Sequence, residues 1–279
     1  MSRRLLFGTP LRDWTRTVIG CVIVAIILFP LYWMTNVSLQ PRAALLATEL
    51  RFLPIPPLTE NYVRVFGEQA GSIGTSLFIA TTTAIVCLLI AAPAAYALVV
   101  FRLRWLTLFV LLLLIVQMIP HVVVANALYA IYARAGLLNT HLGLILADAS
   151  MGVPFAILIL RAFIVSLPRS LIEAALVDGA THWGAFTRII LPLSRNGLIT
   201  SGLFCFLFAW SDFLFALTMG TQGKIVPITL GIYKYIGNEN TSWNSIMAAA
   251  VLASIPPIVL LLAGQRYITA GLVGGAVKE

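Results

Sequence analysis

Charge is what this sequence has least of. Only 10% of its 279 residues are Asp, Glu, Lys or Arg, against 60% hydrophobic, and the mean hydropathy is +0.99. Soluble domains carry about 25% charged residues, so an ordinary water-soluble fold is excluded. Cysteine is scarce as well. Cys21, Cys87 and Cys205 all fall inside apolar segments, and an odd count there argues against a disulfide framework or a thiolate metal site. They are read as packing residues. No G-x-x-x-x-G-K-[ST] loop is present, since Gly220-Thr221-Gln222-Gly223-Lys224 has neither the spacing nor the following hydroxyl residue. H-E-x-x-H and G-x-S-x-G are missing too, and His121, His141 and His182 are far apart in sequence. The chain is therefore not expected to be an ATPase or any other enzyme, or to bind a cofactor or a metal.

What it has in abundance is long apolar runs. A hydrocarbon core of about 30 Å takes about 20 helical residues to cross, and segments near 17–39, 74–100, 105–132, 142–166, 196–220 and 245–268 each meet that length. The first is longer than a signal-peptide core, so it is read as a retained span. The expectation is an all-α integral membrane protein, a single domain over 1–279 with about six transmembrane helices in a lipid bilayer. Pro93, Pro120, Pro154 and Pro256-Pro257 fall inside the spans and predict kinks.

The formal charge of +8 comes from basic residues scattered at span edges, which suits membrane topology and not nucleic acid. Arg3, Arg4, Arg12, Arg16, Arg102, Arg104, Arg161, Arg169, Arg188, Arg195, Arg266 and Lys278 fall on one side. Only Arg42, Arg51, Arg64, Arg134, Lys224 and Lys234 fall on the other. The positive-inside rule then makes both termini and the 167–195 connection cytoplasmic. The 40–73 connection, with Pro54-Ile55-Pro56-Pro57, is expected to be external and irregular.

The 167–195 connection has its own local grammar. Ser170 and Glu173 form an S-x-x-E capping box that predicts a helix to about Val177. Gly179 permits a turn, and a second helix from about His182 to Ile190 is expected to close at Pro192. From the residues alone, an interfacial amphipathic element in which Glu173 is only a cap is the favoured reading.

Taken together, Glu173-Ala174-Ala175, Asp178-Gly179-Ala180 and Ile189-x-Leu191-Pro192 match the cytoplasmic loop motif of permease subunits of binding-protein-dependent ABC importers. With Phe186 and Leu193 the string resembles the carbohydrate-uptake branch, especially the second permease of maltose-type transporters. Ser38-Leu39-Gln40-Pro41, Thr59-Glu60-Asn61-Tyr62, Ala94-Ala95-Tyr96-Ala97, Gly136-Leu137-Leu138-Asn139-Thr140 and the glycine-rich tail resemble family strings in family order. Departures are Gln40 for lysine, Thr75 where asparagine is common, and Glu279 at the end. The resemblance implies a type I importer permease fold and a location in the bacterial cytoplasmic membrane. Its implied partners are a second permease subunit of a different chain, two copies of an ABC ATPase that uses ATP and Mg, and an extracytoplasmic substrate-binding protein. It also implies that Glu173, Ala174, Ala175, Asp178, Gly179, Ala180, Ile189, Leu191 and Pro192 couple this chain to the ATPase.

Two carboxylates lie inside predicted spans, Asp148 and Asp212, where charge is costly and usually faces protein or water. Trp210 and Ser211 beside Asp212 suit a sugar, with the ring stacking and the polar groups binding hydroxyls. Asn126 and Tyr129 join them as candidates for the substrate pathway. Asp212 as the cap of a kink is the plainer alternative. A proton-coupled secondary transporter using Asp148 and Asp212 is the rival function, though no inverted repeat is visible.

Overall fold

The computed structural model describes residues 10–46, 50–101, 104–220, 222–236 and 243–276. Arg3, Arg4, Arg102, Thr221 and Val277-Lys278-Glu279, used above, lie outside the described residues. Among those described, all regular structure is helical. In chain order it runs α1 (Pro10–Ser38), α2 (Arg42–Leu46), α3 (Glu60–Val100), α4 (Leu106–Met118), α5 (His121–Ala135) and α6 (His141–Val165). Next come α7 (Ser170–Val177), α8 (His182–Ala185), a π-turn (Phe186–Ile190) and α9 (Leu191–Leu193). The last four are α10 (Arg195–Ser211), α11 (Leu214–Met219), α12 (Ile228–Ile236) and α13 (Trp243–Ala276). Four helices are long and apolar enough to cross a membrane, and six spans result if each sharply bent helix pair counts as one.

The helix ends correct one expectation. The second span does not begin at 74: α3 starts at Glu60 and is 41 residues long, about 60 Å and twice the hydrocarbon core. Glycines at 67, 71 and 74, together with polar neighbours, hide its first turns from a hydropathy window. Helices α1, α3, α6 and α13 continue without a break through Pro30, Pro93, Pro154 and Pro256-Pro257. The sharp break in the third span is at Pro120, where α4 and α5 meet at 93°. Finally, the tail is helical as far as Ala276.

The described residues form two units, one within Met1–Glu68 and Tyr235–Leu252, the other within Gln69–Lys234 and Ala253–Glu279. In the first, a buried polar clasp ties the end of α1 to the starts of α3 and α13. Asn61 donates to Ser38 O at 3.1 Å and Asn244 O at 3.0 Å, while Arg64 donates to Asn61 Oδ1 and Ser245 Oγ. Asn36 and Gln40 both donate to Arg51 O. Buried amides that find partners in this way fix geometry, whereas unpaired ones would cost about 1–3 kcal/mol each. This accounts physically for Ser38-Leu39-Gln40 and for Asn61 in their strings.

In the second unit, α3, α6 and α10 cross closely at small residues. A Cβ on Gly152 would stand 2.7 Å from Cys87 Sγ and 3.5 Å from Cys205 Sγ, and one on Gly197 would stand 2.6 Å from the Phe163 ring. Cys87 and Cys205 are buried there as packing groups, while Cys21 is exposed on α1. The Gly136–Thr140 string is the reversal between α5 and α6. Gly136 (φ 68°) ends α5, Asn139 (φ 60°) turns the chain, and Thr140 caps α6 by accepting from Gly143 N at 3.0 Å.

Candidate functional site

The 167–195 connection is ordered and two-faced. On α7, Ile172 and Ala175 are buried against the main core, with Leu176 packed beside them. Glu173 and Ala174 are exposed, and Val177 is 87% exposed. The short helix thus buries one side and presents a small alanine and a bare valine on the other. Asp178 is exposed too, whereas Ala180, Ile189 and Leu191 pack on the core and Pro192 is exposed.

The expected capping box does not form. The chain enters α7 through Pro168 and Arg169, whose carbonyls accept from Leu171 N and Ile172 N, so Ser170 is already helical and caps nothing. Glu173 is left free of a capping duty, with its backbone N–H bonded to Arg169 O at 3.2 Å. The far end of α7 is a Schellman turn: Ala180 N reaches Ala175 O at 2.9 Å, Gly179 N reaches Leu176 O at 3.1 Å, and Gly179 has φ 87°. A Cβ there would meet no atom, so any penalty is one of backbone strain. Gly179→Val is therefore expected to cost about 1–2 kcal/mol and Gly179→Asn less. Limited proteolysis of the loop measures this, and cleavage should be roughly ten-fold faster in the valine variant than in wild type.

The second helix does not close at Pro192. Thr181 caps α8 by accepting from Gly184 N at 3.1 Å, and the chain then widens into the π-turn, where Leu191 N bonds Phe186 O. Pro192 has no N–H to give a carbonyl one turn back, and a wider turn just before it accommodates the loss. The reversal comes at Ser194, between 182–193 and α10, which lie at 77°.

Aromatic side chains latch this loop to the end of α3. Tyr96 lies 5.2 Å from the Phe186 ring and 3.4 Å, oxygen to nitrogen, from His182 Nδ1, while His182 lies 5.0 Å from the Phe101 ring. Sequence reasoning overlooked this role for His182 because it sought histidines near each other, when the partners are aromatic and 81 to 86 residues away.

The intramembrane candidates divide differently from expectation. Trp210 is 5% exposed, stacks on Phe206 at 5.7 Å, and donates its indole N–H to Ala253 O at 3.1 Å. Ala253 stands four residues before Pro257, which cannot donate to it, so the indole satisfies the carbonyl that this proline leaves open. The stacking platform for a sugar is thus corrected to a packing role. Trp210→Phe should lower the thermal stability of the detergent-purified subunit by about 1–3 kcal/mol. Unchanged stability with weakened substrate affinity would restore the platform. Ser211 is exposed, and its hydroxyl donates back to Leu207 O at 2.8 Å within its own helix, which leaves its oxygen lone pairs as acceptors.

Asp212 ends α10 in extended conformation, and its carboxylate accepts from Phe215 N at 3.2 Å and Ala216 N at 3.0 Å, capping α11. Thr229 donates to its backbone carbonyl at 2.5 Å. Asp148 is buried within α6, where its neighbours Ala147 and Met151 pack in the same cluster as Phe215. His121 opens α5 and stacks on Phe215 of α11 at 6.2 Å, so the broken third and fifth spans meet beside these carboxylates. Asn126 and Tyr129 share an exposed stripe of α5. Among the described residues, no His, Cys, Asp and Glu are grouped to hold a metal ion.

The fold defines a multi-pass membrane protein with a two-faced helical loop between two spans. The sequence profile of the binding-protein-dependent transport system inner membrane components matches residues 88–273, and the chain belongs to that family. It is 31% identical to the sulfoquinovosyl glycerol transport system permease protein of Agrobacterium fabrum over 97% of this chain and 94% of that one. It is 32% identical to the trehalose/maltose transport system permease protein of Thermococcus litoralis over 94% and 95%. A chain of a bacterial ABC transporter that imports the acidic polysaccharide alginate has the same fold, with a TM-score of 0.80 at 21% identity over 94% of this chain and 99% of that one. The chain is a transport component and not an enzyme.

Proposed function

We propose that this chain is the permease subunit of an ATP-driven importer that carries a sugar or related polyol across the bacterial cytoplasmic membrane. The observation that carries the reading is α7, buried through Ile172 and Ala175 and exposed through Glu173, Ala174 and Val177, inside the one loop that matches the coupling motif. An ATPase subunit seated on that exposed face would move α7, and the Tyr96–His182–Phe186 latch would pass the movement to α3. Ile189, Leu191 and Pro192 continue the motif, with Gly179 shaping the turn between the two parts.

Both termini and this loop then face the cytoplasm, in keeping with the excess of arginine on that side. Two ATPase copies supply ATP hydrolysis with Mg, a second and different permease completes the pathway, and an extracytoplasmic binding protein delivers substrate. The sugar class is supported by relatives named for sulfoquinovosyl glycerol and for trehalose and maltose. For the pathway the proposal keeps Asp148, Asp212, Ser211, Asn126 and Tyr129. Asp212 still has lone pairs for hydroxyls, because a carboxylate offers about four acceptor sites and two are used by α11. The proton-coupled alternative gives the 173–192 loop no task.

The test of substrate class is ATPase activity in proteoliposomes holding the whole importer. Binding protein loaded with a disaccharide or polyol should stimulate it. Stimulation only by protein loaded with an amino acid would overturn the sugar reading.

A further inference from the structure

The geometry points to a binding site for one anionic phospholipid, its acyl chain in the groove between α3, α10 and α13 and its phosphate between Arg195 and Arg266. The groove is a cavity of about 710 Å³ whose lining includes Leu77, Leu88, Phe206, Pro256 and Gly264. Among the described residues that line it, Thr81 and Tyr267 alone have side chains with a polar atom. Glycine gives it depth: a Cβ on Gly202 would come within 3.0 Å of Leu88, and one on Gly264 within 2.8 Å of Leu203.

Its length fits one leaflet. From Leu77 to Leu88, or from Pro256 to Tyr267, is eleven residues, about 16 Å of helix, and half a hydrocarbon core is about 15 Å. A second cavity of about 340 Å³ continues from one end and shares Ile199 and Tyr267 with the groove; its other lining residues are Arg195, Asn196 and Arg266. An apolar slot one leaflet long that opens into a basic pocket has the polarity of a phospholipid.

The mouth also selects for charge. Among the described residues, no acidic side chain lines either cavity. The Arg266 guanidinium lies over the Tyr267 ring at 4.7 Å and bonds its hydroxyl at 2.7 Å, which holds it in place. Planar guanidinium groups match phosphate oxygens in pairs. Arg195 and Asn196 open α10, so the positive end of that helix faces the same point. Both arginines belong to the side that the charge count assigns to the cytoplasm, the leaflet rich in anionic lipid. A partner's helix in the groove would bury apolar surface equally well but would leave the basic pocket unexplained.

The experiment uses the whole importer in nanodiscs of phosphatidylcholine with phosphatidylglycerol. A photoactivatable phosphatidylglycerol should label residues 199–206 or 256–267, and native mass spectrometry should find phosphatidylglycerol enriched over its share of the bilayer. R195Q/R266Q should lose roughly ten-fold of that preference, and Ala263→Trp, which fills the groove and leaves both arginines, should lose bound lipid. Inorganic phosphate should not displace the lipid; displacement by phosphate alone would reduce the site to a free-anion pocket and overturn the proposal. Wild type without enrichment or with labelling elsewhere would also overturn it, as would crosslinking of a cysteine placed at Val259 to the second permease.

Discussion

Ala174→Trp is expected to abolish ATP-driven uptake while leaving the amount of this chain in the membrane unchanged. The asymmetry of α7 is the reason. Ala174 is exposed, so an indole there meets nothing of its own chain, whereas Ala175, one residue on, is 6% exposed and packed in the core. Filling the centre of a docking surface costs about 2–4 kcal/mol, which weakens association with the ATPase roughly thirty- to seven-hundred-fold. Ala175→Trp should instead fail at the level of the subunit itself, by overpacking. Quantitative immunoblotting of membranes beside uptake of labelled substrate separates the two. Normal uptake by Ala174→Trp would remove α7 from the coupling path.

The second large effect is at Asp212, where replacement by alanine and by asparagine should diverge. Alanine leaves Phe215 N and Ala216 N without their acceptors at a break inside the membrane, at about 1–3 kcal/mol for each stranded amide. The Ala variant should therefore be poorly assembled and of low thermal stability. Asparagine keeps one oxygen and is a good helix cap, so Asp212→Asn should assemble normally and show weakened transport, because the proposed pathway loses a negative charge. Wild-type kinetics in Asp212→Asn would leave this carboxylate as a cap only. Poor assembly of both variants would mean that the cap needs both oxygens.

Much of this architecture is legible in the sequence because lipid imposes it. Apolar length marks the spans, and the loop motif is local, so its residues could be named before their positions were known. The misplaced features depend on partners distant in the chain. Trp210 reads as a sugar platform beside Asp212 until Ala253 is known to need a donor, 43 residues away, because Pro257 cannot serve it. Ser170 and Glu173 read as a capping box, yet Pro168 and Arg169 start the helix earlier by supplying their own carbonyls. The first turns of α3 were hidden because Asn61 is buried in the clasp and Arg64 bonds into it, a use of polar residues that a hydropathy window cannot detect. His182 was passed over for the same reason: its neighbours Tyr96 and Phe101 become neighbours only in the fold.

The most direct test of the central claim is to solubilise the tagged chain from native membranes in mild detergent and identify what co-purifies. Coupling through α7 predicts an ABC ATPase and a second permease with wild type, and loss of the ATPase alone with Ala174→Trp. Recovery of the chain by itself in both cases, with proton-driven uptake after reconstitution, would contradict it.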